Sequence, residues 1–296
     1  MSSNDDDWQF YRYNPSIAVA SIASVAFFLI TSVHCWLLYR TRAWFLIPLV
    51  LGGVFELAGF AARAYNASET PDWTLVPYII QSVLPLLGPT LYAASIYMIL
   101  GRIILMTKAE HHSLIRRKWL TKIFVIGDVL SFQVQGGGAG AMSSGGADAM
   151  HTGELIVIAG LALQMLIFGI FVVVAYIFHT RMLKAPTQRV ATMTIPWLKH
   201  LHALYGSSAL ILVRSLFRVI EYAQGNNGYL FRHEVFMYLF DTILMFAVMV
   251  LFWWIHPGEI RGILEKLGDS GGSIPLIDNS NPVFTTKGSF VRKLGW

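Results

Sequence analysis

Long runs of apolar residues, separated by short polar segments, make up most of the chain. A helix needs about 20 such residues to cross the hydrocarbon core of a bilayer. Seven runs reach that length, at residues 16–38, 44–63, 76–101, 120–142, 154–178, 200–222 and 234–255. The pattern predicts an all-α fold: a polytopic membrane protein, built as a seven-transmembrane-helix bundle.

Lysine and arginine are concentrated on one side of this predicted bundle. Most of them follow the first, third, fifth and seventh runs, including Arg42, Arg116, Arg189 and Arg261. Cytoplasmic loops retain positive charge, which predicts an N-terminus outside and a C-terminus in the cytoplasm.

Three parts follow from that topology. We expect an extracytoplasmic N-terminus at 1–15, a transmembrane domain at 16–258 and a cytoplasmic tail at 259–296. From Asp269 onward the tail is rich in Gly, Ser, Asn and Pro, a composition typical of disorder. We therefore expect a largely disordered tail.

The composition is typical of a membrane protein and argues against a nucleic-acid-binding protein. Only 13% of the residues are charged and 55% are apolar, so the net charge of +5 reflects topology and does not indicate a nucleic-acid partner. A single cysteine, Cys35, excludes an intrachain disulfide. The sequon at Asn66 falls in a predicted outward loop, leaving its glycosylation open.

Charged residues within the last two runs follow helical spacing. Arg214, Arg218 and Glu221 share one face of the sixth run. Glu234, Tyr238 and Asp241 repeat the spacing of four and three in the seventh. A short loop joins these runs, so we expect antiparallel neighbours in which carboxylates reach the arginines. The expected partners are Asp241, Glu234 and Glu56.

Further polar side chains lie in the other runs, and two interpretations stay open for the whole set. These side chains are Glu56, Arg63, Gln81, Asp128, Gln135 and Gln164. They either lock helices together or line a water-accessible cavity that binds the head group of an amphipathic ligand. Glutamines without evident partners favour a cavity in the outer half of the bundle, with Asp128 as an inner gate or proton site.

Glycines and prolines within the predicted helices also affect how the helices pack. The glycine run at 135–146 either lets helices approach closely or breaks the fourth helix. Pro85 and Pro89 predict a kink in the third helix, with carbonyl groups that need other partners.

Several motifs occur in order along the chain. The second run reads ExxGFxxR from Glu56, and the fourth reads FxxxDxxSxxxQGGG from Phe124. The third reads Q-x7-P-x3-AA-x2-Y-x3-GR from Gln81. The sixth and seventh read RxxxRxxE, ExxxYxxD and HPG. Together they resemble the fungal lipid-translocating exporter family, the seven-helix proteins associated with resistance to aminocholesterol.

This resemblance implies a function. Members are linked to export or flipping of sphingoid long-chain bases, to resistance to toxic lipophiles and, for some, to porphyrin traffic. They are usually found in the fungal plasma membrane or the vacuole. The family's shared polar positions correspond here to Glu56, Arg63, Gln81, Asp128, Gln135, Gln164, Arg214, Arg218, Glu221, Glu234 and Asp241.

We therefore predict a membrane translocator or exporter of amphipathic lipids or lipophilic toxic compounds, and no enzyme. The partners would be membrane lipids or lipophilic small molecules. A protonated lipid amine needs a carboxylate in low dielectric, which favours a cationic amphiphile. The sequence lacks a GxxxxGK[ST] motif, so we expect no ATP-driven step in this chain.

Three alternatives stay open. A seven-helix receptor or sensor shares the topology, although one cysteine leaves its outer loops without the usual disulfide. A zinc hydrolase would need about three ligands at one depth, and the nine histidines lie mostly in loops or at helix ends. A haem or porphyrin site would rest on His34 or methionines. We expect no metal and no cofactor.

Overall fold

A computed structural model of the chain describes residues 15–70, 74–143, 147–193, 195–224, 228–230 and 233–269. Within these ranges the fold is helical and contains no strand, which confirms the all-α prediction. Almost all of the predicted N-terminal part and the tail from residue 270, where we expect disorder, lie outside the described residues.

Ten α-helices form the chain's regular structure within those ranges. They are α1 (Ile17–Thr41), α2 (Ile47–Ser68), α3 (Leu75–Met106), α4 (Arg117–Ser143), α5 (Ala147–Lys184), α6 (Gln188–Thr192), α7 (Trp197–Ala223), α8 (Glu234–Met237), α9 (Ile243–Trp254) and α10 (Gly258–Asp269). Short 3-10 turns precede α2 and follow α3.

Six helical segments of the described chain are long and apolar enough to cross a membrane. They cover Ile17–Thr41, Trp44–Ser68, Val76–Met106, His151–Lys184, Trp197–Ala223 and Glu234–Leu267. The fourth predicted run forms α4, a helix of 27 residues. Its sequence includes the charged residues Arg117, Lys118, Lys122 and Asp128 as well as Gln133, Gln135 and five glycines, and α4 is not among the six.

Helix α4 nevertheless lies along α5 in antiparallel register. A side chain at Gly127 would meet Ile167, one at Gly138 would meet the carbonyl group of Gly153, and one at Gly160 would meet Gln135. Later positions of α4 thus contact earlier positions of α5, as in antiparallel neighbours. The glycine run does not break α4, which is continuous to Ser143; residues 144–146 lie outside the described ranges.

Helix α3 is the most buried of the six segments, with 61% of its apolar stretch buried inside the protein. It contains Pro85 and Pro89, and its fully buried side chains include Tyr92 and Tyr97. By contrast, large apolar side chains are exposed on other helices, for example Ile22 and Trp254. Such surfaces are unfavourable in water and suit contact with lipid tails.

The seventh run is helical but irregular. Between α8 and α9 the backbone forms a π-helical turn at Tyr238–Thr242, which contains Asp241. Such turns are rare and occur often at functional sites. The chain then forms the amphipathic helix α10, which packs against α1 and α3.

One prediction about a loop is wrong. Asn66 lies in the last turn of α2, and its side chain is fully buried. Helix α2 extends past the apolar run because Tyr65, Asn66 and Ala67 continue its helical hydrogen bonding, as the Glu69 amide does by donating to the Asn66 carbonyl oxygen. The sequon is therefore part of a helix.

Candidate functional site

The predicted helix-spanning ion pairs between α7 and the seventh run are present. Asp241 accepts hydrogen bonds from the guanidinium groups of both Arg214 and Arg218. Arg218 also donates to Glu221 at 2.9 Å, one turn along its own helix. Arg214, Glu221 and Asp241 are each less than 5% exposed. The result is a compact, buried network in which two positive charges meet two negative charges.

Arg214 also reaches the third helix. Its Nη2 donates to the carbonyl oxygen of Pro85 at 2.8 Å. That carbonyl would normally accept from the amide of residue 89, but Pro89 has no N–H. The predicted need for other partners at the prolines is thus met at Pro85 by an arginine, which ties α3 to the charge network.

Glu56, also predicted as a partner of the arginines, lies beside this network without forming an ion pair with them, so that part of the prediction is wrong. Its side chain is 1% exposed, and the charges of Arg214, Arg218 and Asp241 act on it at short range. A Cβ added to Gly88 would lie 2.6 Å from its Oε1 atom, so the carboxylate packs against the proline segment of α3. Within the described residues, Glu56 Oε1 accepts no hydrogen bond.

Glu234 does not pair with the arginines of α7, so that part of the prediction is wrong. Its partner is Arg63 of α2, whose Nη2 lies 2.8 Å from Glu234 Oε1. The hydroxyl of Tyr238 joins the pair, donating to Glu234 at 3.2 Å and accepting from Arg63 at 3.3 Å. Gln81 accepts from Arg63 at 3.5 Å. Glu234 is the first residue of α8 and lies at the end of the seventh run, whereas Asp241 lies further inside it. Glu234 is therefore beside Arg63 and too far along the helix to reach Arg214.

The glutamines also have partners, and this weakens the argument for a cavity. Gln135 donates to Gln164 at 2.9 Å, and Gln164 donates to Thr90 of α3 at 2.9 Å. The three side chains form one chain of hydrogen bonds across α4, α5 and α3. They do not by themselves indicate an open, wet space.

Asp128 forms a separate contact. The hydroxyl of Tyr97 donates to its Oδ2 atom at 2.7 Å, and the carboxylate is 1% exposed. Its other oxygen, Oδ1, has no hydrogen-bond partner within the described residues. The aspartate is thus held by one hydroxyl, and it forms no ion pair within the part of the chain that the structure describes.

Helix α3 connects all of these groups, which sequence reasoning did not anticipate. It supplies Gln81, the Pro85 carbonyl oxygen, Thr90 and Tyr97 to the separate contacts. Thr90 and the hydroxyl of Tyr97 were not singled out as partners. The sequence signal that could have predicted these contacts is the free-energy cost of burying Gln164 and Asp128. Each of these side chains needs a hydrogen-bond partner on a neighbouring helix at its own depth.

Metal and haem sites were the remaining alternatives for the described residues. These residues contain no group of three or more His, Cys, Asp and Glu side chains that could hold a metal ion. His34 is buried, and its Nε2 lies 2.9 Å from the carbonyl oxygen of Met249. That contact engages one ring nitrogen in packing α1 against α9.

The helical fold, its lipid-facing apolar surfaces and its buried charge network define an integral membrane protein. Residues 49–262 match the family described as RTA1 like protein. The chain therefore belongs to the RTA1-like family, and the resemblance to fungal lipid-translocating exporters is confirmed.

Curated relatives extend over most of the chain. Protein RTA1 of Saccharomyces cerevisiae is 35% identical over 273 residues, covering 83% of this chain and 84% of the relative. Protoporphyrin uptake protein 1 of the same species is 34% identical, covering 85% and 93%. A more distant relative, the sphingoid long-chain base transporter RSB1, also of S. cerevisiae, is 22% identical, covering 78% and 68%. No solved structure matches.

Proposed function

We propose that this protein translocates amphipathic lipids similar to sphingoid long-chain bases, or lipophilic toxic compounds, across a fungal plasma membrane or vacuolar membrane. The twelve polar residues singled out from the sequence would contact the substrate or control its passage. Membership in the RTA1-like family and a relative named as a sphingoid long-chain base transporter support the substrate class. We infer that ATP hydrolysis by this chain does not drive the movement.

The observation that carries the proposal is that the buried Glu56 carboxylate has no ion-pair partner within the described residues. The two arginines of the central network are balanced by Asp241 and Glu221, so Glu56 is a third carboxylate without a positive partner of its own. An isolated ionised carboxylate is unstable in a low-dielectric interior. Glu56 therefore needs a proton or a bound cation, and the amine of a long-chain base is such a cation.

The neighbouring proline segment suggests how access to Glu56 would change. The Glu56 carboxylate packs against Gly88, between Pro85 and Pro89, where α3 lacks a regular backbone hydrogen bond and is held by Arg214 instead. Movement of this segment would alter the Arg214 contact and the surroundings of Glu56 together. Replacement of the proton on Glu56 by the protonated amine of the substrate would then couple substrate binding to the conformation of α3. Asp128 would act as the inner gate or proton site.

We also propose that α4 completes seven transmembrane spans, with the N-terminus outside. The register of α4 along α5 supports a crossing at the same depth, because Gly127 opposes Ile167 while Gly138 opposes Gly153. Seven crossings keep the basic loops that contain Arg42, Arg116 and Arg189 on one side, in agreement with the positive-inside rule.

Reconstitution tests the proposal directly. The purified full chain is placed in liposomes with a fluorescent sphingoid base, or a fluorescent phospholipid, in one leaflet, with and without a pH gradient. We expect protein-dependent movement of the sphingoid base. Glu56→Gln should reduce that movement at least about tenfold, since the amide cannot accept a proton or balance an amine.

Glu69→Gln is the matched control, because Glu69 caps the C-terminus of the same helix and accepts a hydrogen bond from the exposed Thr74. It should move lipid at the wild-type rate. Equal rates for Glu56→Gln and wild type would remove Glu56 from the mechanism. Saturable binding of the sphingoid base without any movement would favour the receptor or sensor function.

Porphyrin movement is the second candidate, since one relative is named protoporphyrin uptake protein 1. The contact of His34 with the Met249 carbonyl oxygen argues against axial ligation of a haem iron by Nε2. Movement of protoporphyrin in the same liposomes, with no stoichiometric Soret band on the purified protein, would support porphyrin as cargo.

A further inference from the structure

A pocket of about 280 Å³ lies at the opposite end of the bundle from the Arg63–Glu234 pair. It is formed by the turn after α1, the end of α3 and helix α10. Its lining consists of Arg42, Trp44, Phe45, Arg102, Arg261, Leu264 and Glu265. The volume is near the lower limit of small-molecule sites, roughly 300 Å³.

Three guanidinium groups and one carboxylate meet in this pocket. Arg261 donates to Glu265 at 2.7 Å, so that carboxylate is already engaged. No carboxylate of the described residues forms an ion pair with Arg42 or Arg102. The pocket therefore retains two uncompensated positive charges, which attract an anion.

The fold fixes the positions from which the arginines reach the pocket, and the side chains of Arg42 and Arg102 are exposed there. Arg102 lies over the ring of Phe45, with its guanidinium carbon 5.3 Å from the ring centroid. Arg42 ends α1 with a left-handed backbone conformation, at φ 48°. Its carbonyl oxygen accepts a hydrogen bond from Arg261 of α10. Helix α10 thereby closes one side of the pocket and brings the third guanidinium to it.

The pocket lies where lipid headgroups are expected. Trp44 lines it and is 57% exposed, and the exposed Trp253 and Trp254 end α9 just before α10. Tryptophan is enriched at membrane–water interfaces. Basic pockets between transmembrane helices at the cytoplasmic side bind the headgroups of anionic lipids. Arginine suits phosphate in particular, because its planar fork donates two parallel hydrogen bonds.

We propose that Arg42, Arg102 and Arg261 form a binding site for a phosphate-bearing anionic group, supplied by a phospholipid headgroup or by free phosphate. The site is remote from Glu56 and the charge network, and it does not depend on the proposed transport function. Occupancy would fasten α10 to the ends of α1 and α3.

Binding to the purified full chain in detergent tests the site. The probes are dioctanoyl phosphatidic acid, dioctanoyl phosphatidylcholine as the zwitterionic reference, and inorganic phosphate. We expect saturable binding of phosphatidic acid, with a Kd at least about tenfold below that of phosphatidylcholine. Arg42→Gln and Arg102→Gln should each raise the Kd for phosphatidic acid about tenfold.

Arg116→Gln is the control, since Arg116 is an exposed arginine in the loop between α3 and α4 that does not line the pocket. It should leave the Kd unchanged. Thermal unfolding without ligand identifies any variant that has lost its fold, and the second arginine variant then provides the test. Displacement of phosphatidic acid by inorganic phosphate would identify the phosphate group as sufficient, and lack of displacement would identify the lipid headgroup as the ligand. Equal weakening by Arg116→Gln, or equal binding of the two lipids, would overturn the proposal.

Discussion

Arg214 of α7 donates to the carbonyl oxygen of Pro85 at 2.8 Å, and that carbonyl is the one that Pro89 deprives of its helical partner. The proline and the arginine therefore form one structural unit although they are far apart in sequence. The same arginine also donates to Asp241 in the π-helical turn. Two irregular backbone segments, on different helices, are thus joined through a single guanidinium group.

Replacing Pro89 tests whether this unit is needed for movement. Pro89→Ala restores an amide that can donate to the Pro85 carbonyl oxygen, and alanine removes a helix-interior penalty of about 3 kcal/mol. We expect apparent thermal stability to be kept or raised, while lipid movement in liposomes falls because the Pro85 carbonyl oxygen regains its helical donor and no longer depends on Arg214. Wild-type movement by a well-folded Pro89→Ala variant would show that the irregularity of α3 has no part in transport.

Asp241 is expected to be chiefly a stability residue, since it accepts from two buried arginines. Asp241→Asn keeps the volume but leaves Glu221 as the one carboxylate of the network that is hydrogen-bonded to an arginine. Breaking a buried pair costs about 3–5 kcal/mol. We expect the apparent Tm in detergent to fall by roughly 6–12 °C.

The double variant Asp241→Asn with Arg218→Gln provides the check on that prediction. It removes one charge of each sign, so part of the lost stability should return, and a double-mutant cycle measures the coupling. Simple addition of the two single losses would mean that Arg218 and Asp241 do not stabilise each other.

The pairing of α7 with the seventh run was predictable because buried charges in a membrane must find partners, and spacing of three and four residues places them on one face. Glu234 shows the limit of that reasoning. Helical spacing puts it on the same face as Asp241, but its place at the start of α8 puts it beside Arg63. Spacing along one helix does not fix which neighbouring helix lies at each depth.

The contacts made by α3 could not be read from the sequence for a related reason. Tyr97 and Asp128 are on helices that pack side by side, and their contact depends on the relative height of the two helices. The π-helical turn at Asp241 has no recognised sequence signal either, since Tyr238–Thr242 reads as ordinary helix. Apolar length therefore predicted which segments are helical, and charge spacing predicted the pairs of Asp241 with α7, while the contacts of Glu234 and of α3 needed the three-dimensional structure.

Asn66 is expected to remain unglycosylated despite its sequon. The side chain is fully buried in the last turn of α2, and a glycan is bulky and requires a surface position. Treatment of the protein from a fungal host with an endoglycosidase should leave its mass unchanged. A mass decrease that is absent from the Asn66→Gln variant would show that this turn of α2 opens during synthesis.

The glycine run of α4 offers a matched pair of substitutions. A Cβ at Gly138 would lie 2.7 Å from the carbonyl oxygen of Gly153 and 2.8 Å from the amide nitrogen of Val157, whereas a Cβ at Gly137 would meet nothing within 4 Å. Gly138→Ala should therefore separate α4 from α5 and destabilise the protein by about 1–3 kcal/mol. Gly137→Ala should be neutral or stabilising, by up to about 1 kcal/mol, because alanine favours helix. Apparent Tm in detergent distinguishes them, and equal effects of the two substitutions would mean that close packing of α4 on α5 contributes little to stability.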